Sequence, residues 1–191
     1  ALAFVEQLLS EYSSNADINW ILQRHQIQVL LHMNPDGRKQ AETGIRWRKN
    51  TNQDYCGVDS PQRGADLNRN FSHGWGAQAE GSSGEACAST YRGPVPASEP
   101  ETRAVEAYIR QLFADRRGSD PNDPAPADTQ GLHIDLHSFS ELILWPWGDT
   151  EQPAPNGAAL ATLGRKLAYF NGYTPMQSVG LYPTNGTSDG V

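Results

Sequence analysis

The first stretch of the chain has apolar residues at the spacing of one helix face. They recur three and four positions apart, which is the period of an amphipathic helix. They are Phe4, Val5, Leu8, Leu9 and Tyr12. A second, shorter helix is predicted over residues 18–23. The chain does not begin with Met and nothing precedes Ala1 that could cap the first helix, so we expect a cut chain from a longer protein.

Three largely apolar runs predict β-strands. Residues 27–33 form a run that ends at Asn34-Pro35-Asp36-Gly37, and this tetrapeptide predicts a turn. Residues 132–137 alternate between apolar and polar positions without a break, which predicts a half-buried strand. Residues 142–147 predict a further strand.

Two more helices are predicted in the second half of the chain. Ser98-Glu99-Pro100-Glu101 has the spacing of a capping box with Pro in the first turn. The buried stripe expected for that helix consists of Val105, Tyr108, Ile109 and Leu112. Residues 156–170 predict a long helix that Asn171-Gly172 ends. Helices alternating with apolar strands predict an α/β sandwich, and we expect residues 1–191 to form a single domain.

Between residues 34 and 97 no periodicity persists. A stretch of 64 residues without regular elements is uncommon in a compact domain and is usually either functional or disordered. Its aromatic residues favour an ordered, functional loop. They are Trp47, Tyr55, Phe71, Trp75 and Tyr91.

Composition and charge narrow the classes of partner. A hydrophobic content of 37% and five Trp favour a folded globule, and the apolar runs are too short for a membrane span. The net charge of −7 disfavours nucleic acid, which requires a basic patch, and leaves cationic peptides as partners.

Cys56 and Cys87 allow two interpretations from the residues alone. They are either free thiols of a cytosolic protein or a disulfide. A disulfide would close a loop of 31 positions and contribute roughly 3–4 kcal/mol of stability. The sequence has no C-x-x-C pair, which argues against a structural zinc cluster or a thioredoxin-type site.

The run Asp66-Leu67-Asn68-Arg69-Asn70-Phe71 places an amide beside a guanidinium in the long loop. Arg presents five donors that match a carboxylate or phosphate two at a time, and Asn adds another donor. The pair Asn68 and Arg69 is therefore a candidate anion site, although most Arg residues are only solvated or make weak surface pairs.

One face of the strand predicted over residues 132–137 carries His133, Asp135 and His137. Four residues along a strand span about 13 Å, so a single metal ion cannot contact both imidazoles. His137, at the strand's end, is the better candidate ligand, although a lone His is more often structural. The basic cluster Arg46-Trp47-Arg48-Lys49 by itself indicates a solvated patch, and Tyr182 by itself a cover for apolar surface.

Seven motifs, taken in order, resemble the zinc metallocarboxypeptidases of the pancreatic carboxypeptidase A/B type. The resemblance runs from the first helix to the last residue. The motifs are Asn34-Pro35-Asp36-Gly37, Trp47-Arg48-Lys49, residues 66–71, Thr90-Tyr91-Arg92-Gly93, Ser98-Glu99, Leu136-His137-Ser138-Phe139-Ser140 and Tyr182-Pro183. The resemblance implies an α/β/α sandwich with a mixed, mostly parallel central sheet, of which this chain would hold the middle and lack both edges.

The resemblance also implies a role for each matching residue. His137 is similar to the third zinc ligand of the family, and Arg48 to the arginine that polarises the scissile carbonyl. Asn68 and Arg69 match the pair that grips the substrate's terminal carboxylate, and Tyr182 matches the tyrosine that closes over it.

Two further expectations follow from the resemblance. Asp189 resembles the pocket-base acid of the B-type enzymes and would favour a substrate Lys or Arg side chain, although Gly190-Val191 departs from the usual Asp-Trp. Cys56 and Cys87 are expected to form a disulfide, which implies a secreted or periplasmic protein.

The resemblance does not extend to the family's complete zinc site. The family supplies two zinc ligands from His-x-x-Glu, and none of the five His here has Glu three residues on. Catalytic zinc needs three protein ligands, so we expect the chain to be inactive alone and the Zn²⁺ site to be incomplete.

Three readings remain open. The chain is part of a carboxypeptidase monomer that cleaves peptide or protein C-termini, a non-catalytic module that binds peptide C-termini, or part of a cell-wall peptide amidase.

Overall fold

The computed structural model describes residues 2–120 and 122–191. The chain divides into two compact units, one extending to Met33 and the other comprising Asn34–Val191. Among the described residues, no helix combines the length and apolarity that crossing a bilayer requires.

The first unit contains two helices, as predicted. Helix α1 spans Leu2–Ser10 and helix α2 spans Ala16–Arg24. Asn15 caps α2 through its side-chain oxygen, which accepts hydrogen bonds from the backbone N–H groups of Asp17 and Ile18. Of the stripe predicted for α1 only Leu8 is buried.

The strand predicted over residues 27–33 is wrong, because this segment is irregular. Leu30 and Leu31 are exposed. An apolar run becomes a strand only when another strand offers it a hydrogen-bonded edge. Among the described residues, the one sheet consists of two strands that lie elsewhere.

The second unit opens with a helix where the sequence predicted a turn. Helix α3 spans Pro35–Glu42, and the Asn34 side chain caps it by accepting from Gly37 N at 2.9 Å. Asn as the cap and Pro as the first helical residue are a regular way to start a helix. The same residues are common in turns, which explains the error.

A parallel β-α-β unit confirms the α/β class. Strand β1, Leu142–Trp145, pairs in parallel with strand β2, Thr174–Gln177, and helix α5, Gly157–Asn171, connects them and packs on both. Gly172 ends α5 in the left-handed conformation, as predicted. Strand β2 was not predicted; it is four residues long and contains a proline.

Residues 132–137 do not form the predicted strand. The apolar face of the alternation is exposed, and Leu136 is 67% accessible. Alternation of apolar and polar residues indicates that one face is buried, but a strand also needs a neighbouring strand for its backbone hydrogen bonds. Among the described residues, this segment pairs with no other strand.

Helix α4, Pro100–Leu112, forms as predicted but is not capped as predicted. The Ser98 hydroxyl donates to the Glu99 carboxylate at 2.8 Å instead of capping the helix, and Glu99 occupies the cap position. The buried positions of α4 are Thr102 and Glu106, whereas Tyr108 and Leu112 of the predicted stripe are exposed.

The best-buried part of the second unit lies in the long loop. Its apolar members are few and they surround fully buried polar side chains. The apolar members are Ala65, Leu67, Phe71 and Tyr91; the polar members include Asn50, Asp66, Asn70 and Glu99. A disulfide joins Cys56 and Cys87 across this loop, with Cα atoms 4.9 Å apart, which confirms the expected pairing.

We expect the double variant Cys56→Ser/Cys87→Ser to lose roughly 3–4 kcal/mol of unfolding free energy, because the unfolded chain regains the entropy of a 31-position loop. Urea unfolding measures the loss. Reduced wild-type protein is the matched control and should behave like the variant. A loss below about 1 kcal/mol would contradict stabilisation through loop closure in the unfolded chain.

Candidate functional site

The Asn-Arg pair lies on a short 3-10 turn, Leu67–Arg69. Asp66 starts the turn, because its side chain accepts from Asn68 N at 3.2 Å while its own backbone N–H donates to Tyr91 O at 2.8 Å. These two hydrogen bonds fix the backbone of Asp66, where the turn begins. The side chains of Asn68 and Arg69 therefore start from a backbone that is held in place.

Glu99 holds the start of this turn through Asn50. The Asn50 amide donates to Glu99 Oε2 at 2.7 Å. Asn50 also makes two hydrogen bonds with Ala65, one through its backbone N–H at 2.9 Å and one through its side-chain oxygen at 2.8 Å. Ala65 immediately precedes Asp66, so the buried carboxylate fixes the backbone at the entry to the turn.

Glu99 also holds the end of the turn. Its backbone N–H donates to Asn70 Oδ1 at 3.0 Å. The Asn70 amide donates in turn to Ser98 Oγ and to Arg92 O, both at 2.8 Å. The Asn68-Arg69 pair thus lies between two anchors, Ala65 and Asn70, that depend on one residue.

The Glu99 carboxylate is fully buried and forms no ion pair among the described residues. Burial on its own raises the pKa of this group. Hydrogen bonds from neutral donors outweigh burial, so the pKa of Glu99 lies below its ordinary value and the group is a carboxylate at neutral pH. The donors are Asn52, Asn50, Ser98 and Tyr55.

Two cationic residues precede Asn50 in the chain, and they differ in exposure and in hydrogen-bond partners. Arg48 is 48% exposed and its Nε donates to Asp66 Oδ2 at 2.7 Å. Lys49 is buried and its ammonium donates to three backbone carbonyls, those of Gln62, Ala86 and Ala88, at 2.5–3.1 Å. Burial lowers the pKa of Lys49, and Asp66 partly opposes this shift. Arg48 is therefore accessible from solvent, whereas Lys49 ties three backbone segments together.

Arg69 is only 3% exposed and forms no ion pair with any described carboxylate. Its Nη1 donates to Asn68 O at 2.5 Å, and its buried Nε has no hydrogen-bond partner among the described residues. A buried guanidinium without an anion is costly, so this position favours an anionic ligand.

His137 connects to the anion pair through two side chains. The imidazole Nε2 lies 2.9 Å from Asp135 Oδ2, and the Ser188 hydroxyl donates to the same oxygen. The backbone N–H of Ser188 donates to Asn68 Oδ1 at 3.0 Å. The structure therefore brings His137 and Asn68 into one site, although 68 residues separate them in sequence.

The charges around His137 include the other predicted site residues. The hydrogen bond to Asp135 raises the pKa of His137, burial and Arg48 lower it, and Asp189 raises it, with a net increase. Burial raises the pKa of Asp135, but hydrogen bonds from His137 and Ser188 outweigh burial and lower it. Arg48 and Asp189 therefore share the electrostatic environment of His137.

The described residues do not complete a metal site. They contain no group of three or more His, Cys, Asp or Glu side chains with ligating geometry. His137 offers one nitrogen, Nδ1, because Asp135 occupies the other. One ligand does not fit catalytic zinc, and ligation by His137 stays a prediction.

Tyr182 is exposed, and its hydroxyl has no side-chain hydrogen bond within residues 2–120 and 122–191.

From the sequence, no site role was assigned to Ser188 or Glu99, because their hydrogen-bond partners lie 53 and 49 positions away in the chain. Asp135 had been placed on the same face as His137 without a role, and its i, i+2 spacing could have indicated the contact.

Comparisons with known proteins agree on one family. The profile described as zinc carboxypeptidase, peptidase family M14, matches residues 1–190. Human mast cell carboxypeptidase A is 31% identical over 196 residues, covering 97% of this chain and 42% of the relative. Carboxypeptidase B of Helicoverpa zea is 32% identical over 151 residues, covering 78% of this chain and 32% of the relative.

Solved structures give the same result. A crystal structure of thrombin activatable fibrinolysis inhibitor superposes with a TM-score of 0.78 and 26% identity, covering 98% of this chain and 45% of that one. Carboxypeptidase A from Helicoverpa armigera has a TM-score of 0.68 and 27% identity, covering 84% and 37%. The chain thus spans less than half the length of these relatives.

We expect the stability of this loop to fall in acid through Glu99. Because its folded-state pKa lies below the ordinary value of 4.5, the folded protein binds fewer protons than the unfolded chain. The stabilisation is complete above pH 4.5 and is lost as the pH falls through the folded pKa. Glu99→Gln should lower the unfolding free energy by roughly 1–3 kcal/mol at pH 7, since one oxygen that accepts from buried donors is replaced by an NH2 group and the charge is lost.

Urea unfolding at pH 7 and pH 3 measures both effects. The penalty of Glu99→Gln should shrink at pH 3. Glu80→Gln, which removes an exposed carboxylate, is the control and should leave the unfolding free energy within about 0.5 kcal/mol of wild type. A penalty for Glu99→Gln that is the same at both pH values would contradict an ionised Glu99.

Proposed function

Because the chain belongs to the zinc carboxypeptidase family, we propose that it forms the substrate-clamping part of an exopeptidase that removes the C-terminal residue of peptides. The observation that carries this proposal is a set of cationic and amide groups next to each other. Arg48 is half-exposed, Arg69 is buried without an anion among the described residues, and Asn68 is linked to His137 through Ser188 and Asp135. A peptide's terminal carboxylate is the anion that such a cluster suits.

Asn68 and Arg69 are the proposed grip for that carboxylate. Asn68 uses its side-chain oxygen for Ser188, which leaves the amide N–H groups as donors. Arg69 supplies the charge, and the peptide carboxylate would neutralise a guanidinium that has no anion among the described residues. The grip also orients the last peptide bond, since one end of the substrate is held at a fixed point.

Arg48 is the proposed electrophile. It is half-exposed, and its contact with buried Asp66 holds the guanidinium in one place, so its remaining N–H groups can face a substrate carbonyl. A fixed cation beside a carbonyl oxygen stabilises the negative charge that develops during hydrolysis.

Tyr182 and Asp189 complete the proposed substrate site. Tyr182, exposed and without a side-chain hydrogen bond among the described residues, would close over the bound terminus. Asp189 would pair with a cationic side chain, which implies a preference for C-terminal Lys or Arg. The disulfide supports a secreted or periplasmic location, because such bonds persist in oxidising compartments.

We derive no catalytic step through zinc, because His137 is the single candidate ligand among the described residues. Two more ligands and a general base have no counterpart there. We therefore propose that the 191-residue chain alone binds peptides without cleaving them. That same observation favours the second candidate function, a peptide C-terminus-binding module without catalysis.

The proposed function is tested by comparing two peptides of the same sequence, one with a free C-terminal carboxylate and one with a C-terminal amide. The zinc-loaded protein, expressed with all the flanking sequence its gene encodes, should release one residue at a time from the free acid and leave the amide intact. The 191-residue chain should bind the amide about tenfold or more weakly than the acid, since a charge-assisted contact is lost. Equal affinity for both would overturn the clamp. Tight binding of the acid without turnover by the longer protein would establish the non-catalytic module.

The two arginines should differ in kinetics. Arg48→Ala should lower kcat by about 100-fold or more with little change in KM, since it acts on developing charge. Arg69→Ala should mainly raise KM, by roughly 10-fold to 100-fold, since it holds the ground-state carboxylate. Steady-state kinetics on a C-terminal Lys peptide, with melting temperatures to verify folding, separate the two effects. Arg46→Ala, an exposed neighbour, is the control. Effects of both variants on KM alone would contradict these roles.

A further inference from the structure

We propose that Asp149 is a second specificity-determining carboxylate in the pocket that contains Asp189, and that the two together select C-terminal Arg over Lys. The inference rests on the proposed carboxypeptidase function and specifies its substrate. Sequence reasoning assigned no role to Asp149.

Asp149 and Asp189 line the same narrow pocket in the second unit. Asp189 belongs to the 3-10 turn Ser188–Gly190, and Asp149 follows strand β1 by four residues. His73 and Trp147 stack in parallel at one side of the pocket, with ring centroids 4.5 Å apart. The wall therefore combines two acids with a flat aromatic surface, which suits a planar cation.

Neither acid is neutralised within the part of the chain that the structure describes. Their carboxylates form no hydrogen bond or ion pair there. Arg117 shares a second pocket with Asp189, yet its guanidinium pairs with Asp115 at 3.3 Å. Two unpaired carboxylates on one pocket leave a negative site that a cation would stabilise.

A third, independent acceptor lies in the pocket wall. Thr184 is only 8% exposed, and its hydroxyl oxygen has no hydrogen-bond partner among the described residues. Buried hydroxyls are nearly always paired, so an unpaired one in a pocket wall indicates a missing ligand donor. Carboxylates accept only, and a hydroxyl can accept as well, so all three groups suit a ligand rich in N–H donors.

Glycines keep the space in front of these groups open. A Cβ atom on Gly74 would lie 3.2 Å from the Asp149 carboxylate, and one on Gly148 would collide with the Thr184 hydroxyl. A Cβ on Gly190 would lie 2.6 Å from the His73 ring. A side chain at Gly148 or Gly190 would therefore force Thr184 or His73 to shift, and one at Gly74 would crowd the Asp149 carboxylate.

The number of acceptors explains the choice between the two cations. A Lys ammonium is a compact point charge that one carboxylate satisfies. An Arg guanidinium is planar and has five donors on separate edges, so it can contact Asp189 with one edge and Asp149 and Thr184 with another. Asp149 should therefore add affinity for Arg with little effect on Lys.

The test compares kcat/KM for three substrates that differ only in the last residue: benzoyl-Gly-Arg, benzoyl-Gly-Lys and benzoyl-Gly-Phe. In the zinc-loaded protein, Asp149→Asn should lower the Arg-to-Lys ratio about tenfold, the size of a charge-assisted hydrogen bond. Asp189→Asn should lower both Arg and Lys values and leave Phe unchanged or improved. Thr184→Val, which keeps the side-chain shape, should shift the ratio in the same direction as Asp149→Asn.

Glu151→Gln, in the same loop but not in the pocket wall, is the matched control and should leave all three values unchanged. An unchanged ratio in Asp149→Asn, or an equal loss for Arg, Lys and Phe, would overturn the role of Asp149 and leave the exopeptidase function standing. If the zinc-loaded wild-type protein, expressed with its flanking sequence, released no C-terminal residue from any of the three, the proposed exopeptidase function itself would fail.

Discussion

A buried carboxylate organises the long loop of the second unit. Among the described residues, Glu99 accepts hydrogen bonds from neutral side chains and has no cationic partner, and its pKa stays below the ordinary value although burial opposes this. Because an unpaired buried charge is costly, each of those donors is held in place by the same carboxylate. Asn50 and Asn70 carry that constraint to both ends of the turn Leu67–Arg69. The long loop is therefore ordered by hydrogen bonds between buried polar groups more than by burial of apolar side chains.

Lys49, Glu99 and Arg69 form no ion pair among the described residues, although Arg48 pairs with Asp66 at 2.7 Å. The Lys49 ammonium donates its hydrogen bonds to backbone carbonyls, and the Glu99 carboxylate accepts its hydrogen bonds from amides and hydroxyls. Neither group therefore neutralises the charge of a neighbouring side chain. Within residues 2–120 and 122–191, Arg69 is then left as a buried cation without an anion, and Asp189 as an acid without a cation. A peptide that ends in a basic residue carries both missing charges, one on its terminal carboxylate and one on its side chain. Under the proposed function, such a ligand would meet groups that the fold already holds in position.

Local signals predicted the elements whose hydrogen bonds close within a few residues. Helices α4 and α5 and the glycine that ends α5 were predicted, because each depends on neighbours along the chain. The strands over residues 27–33 and 132–137 were wrong, because a strand exists only beside another strand. Asn34 was read as part of a turn, although it caps helix α3, since turns and helix caps use the same residues. The buried side of α4 was also wrong, because Glu106 is buried by bonding to Ser72, a partner 34 positions away.

The sequence by itself determined the chemistry of the candidate site. The neighbouring Asn68 and Arg69 and the cation Arg48 are apparent from residue type, because charge and donor groups belong to single side chains. The disulfide between Cys56 and Cys87 was expected only from the family resemblance, since the residues alone also allowed free thiols. Tertiary structure alone decided which groups meet. Ser188 joins Asp135 across 53 positions and Asn68 across 120, and no local period encodes such contacts. The fold also decided access: it buries Arg69 and leaves Arg48 half-exposed, because burial depends on what the rest of the chain places around a residue.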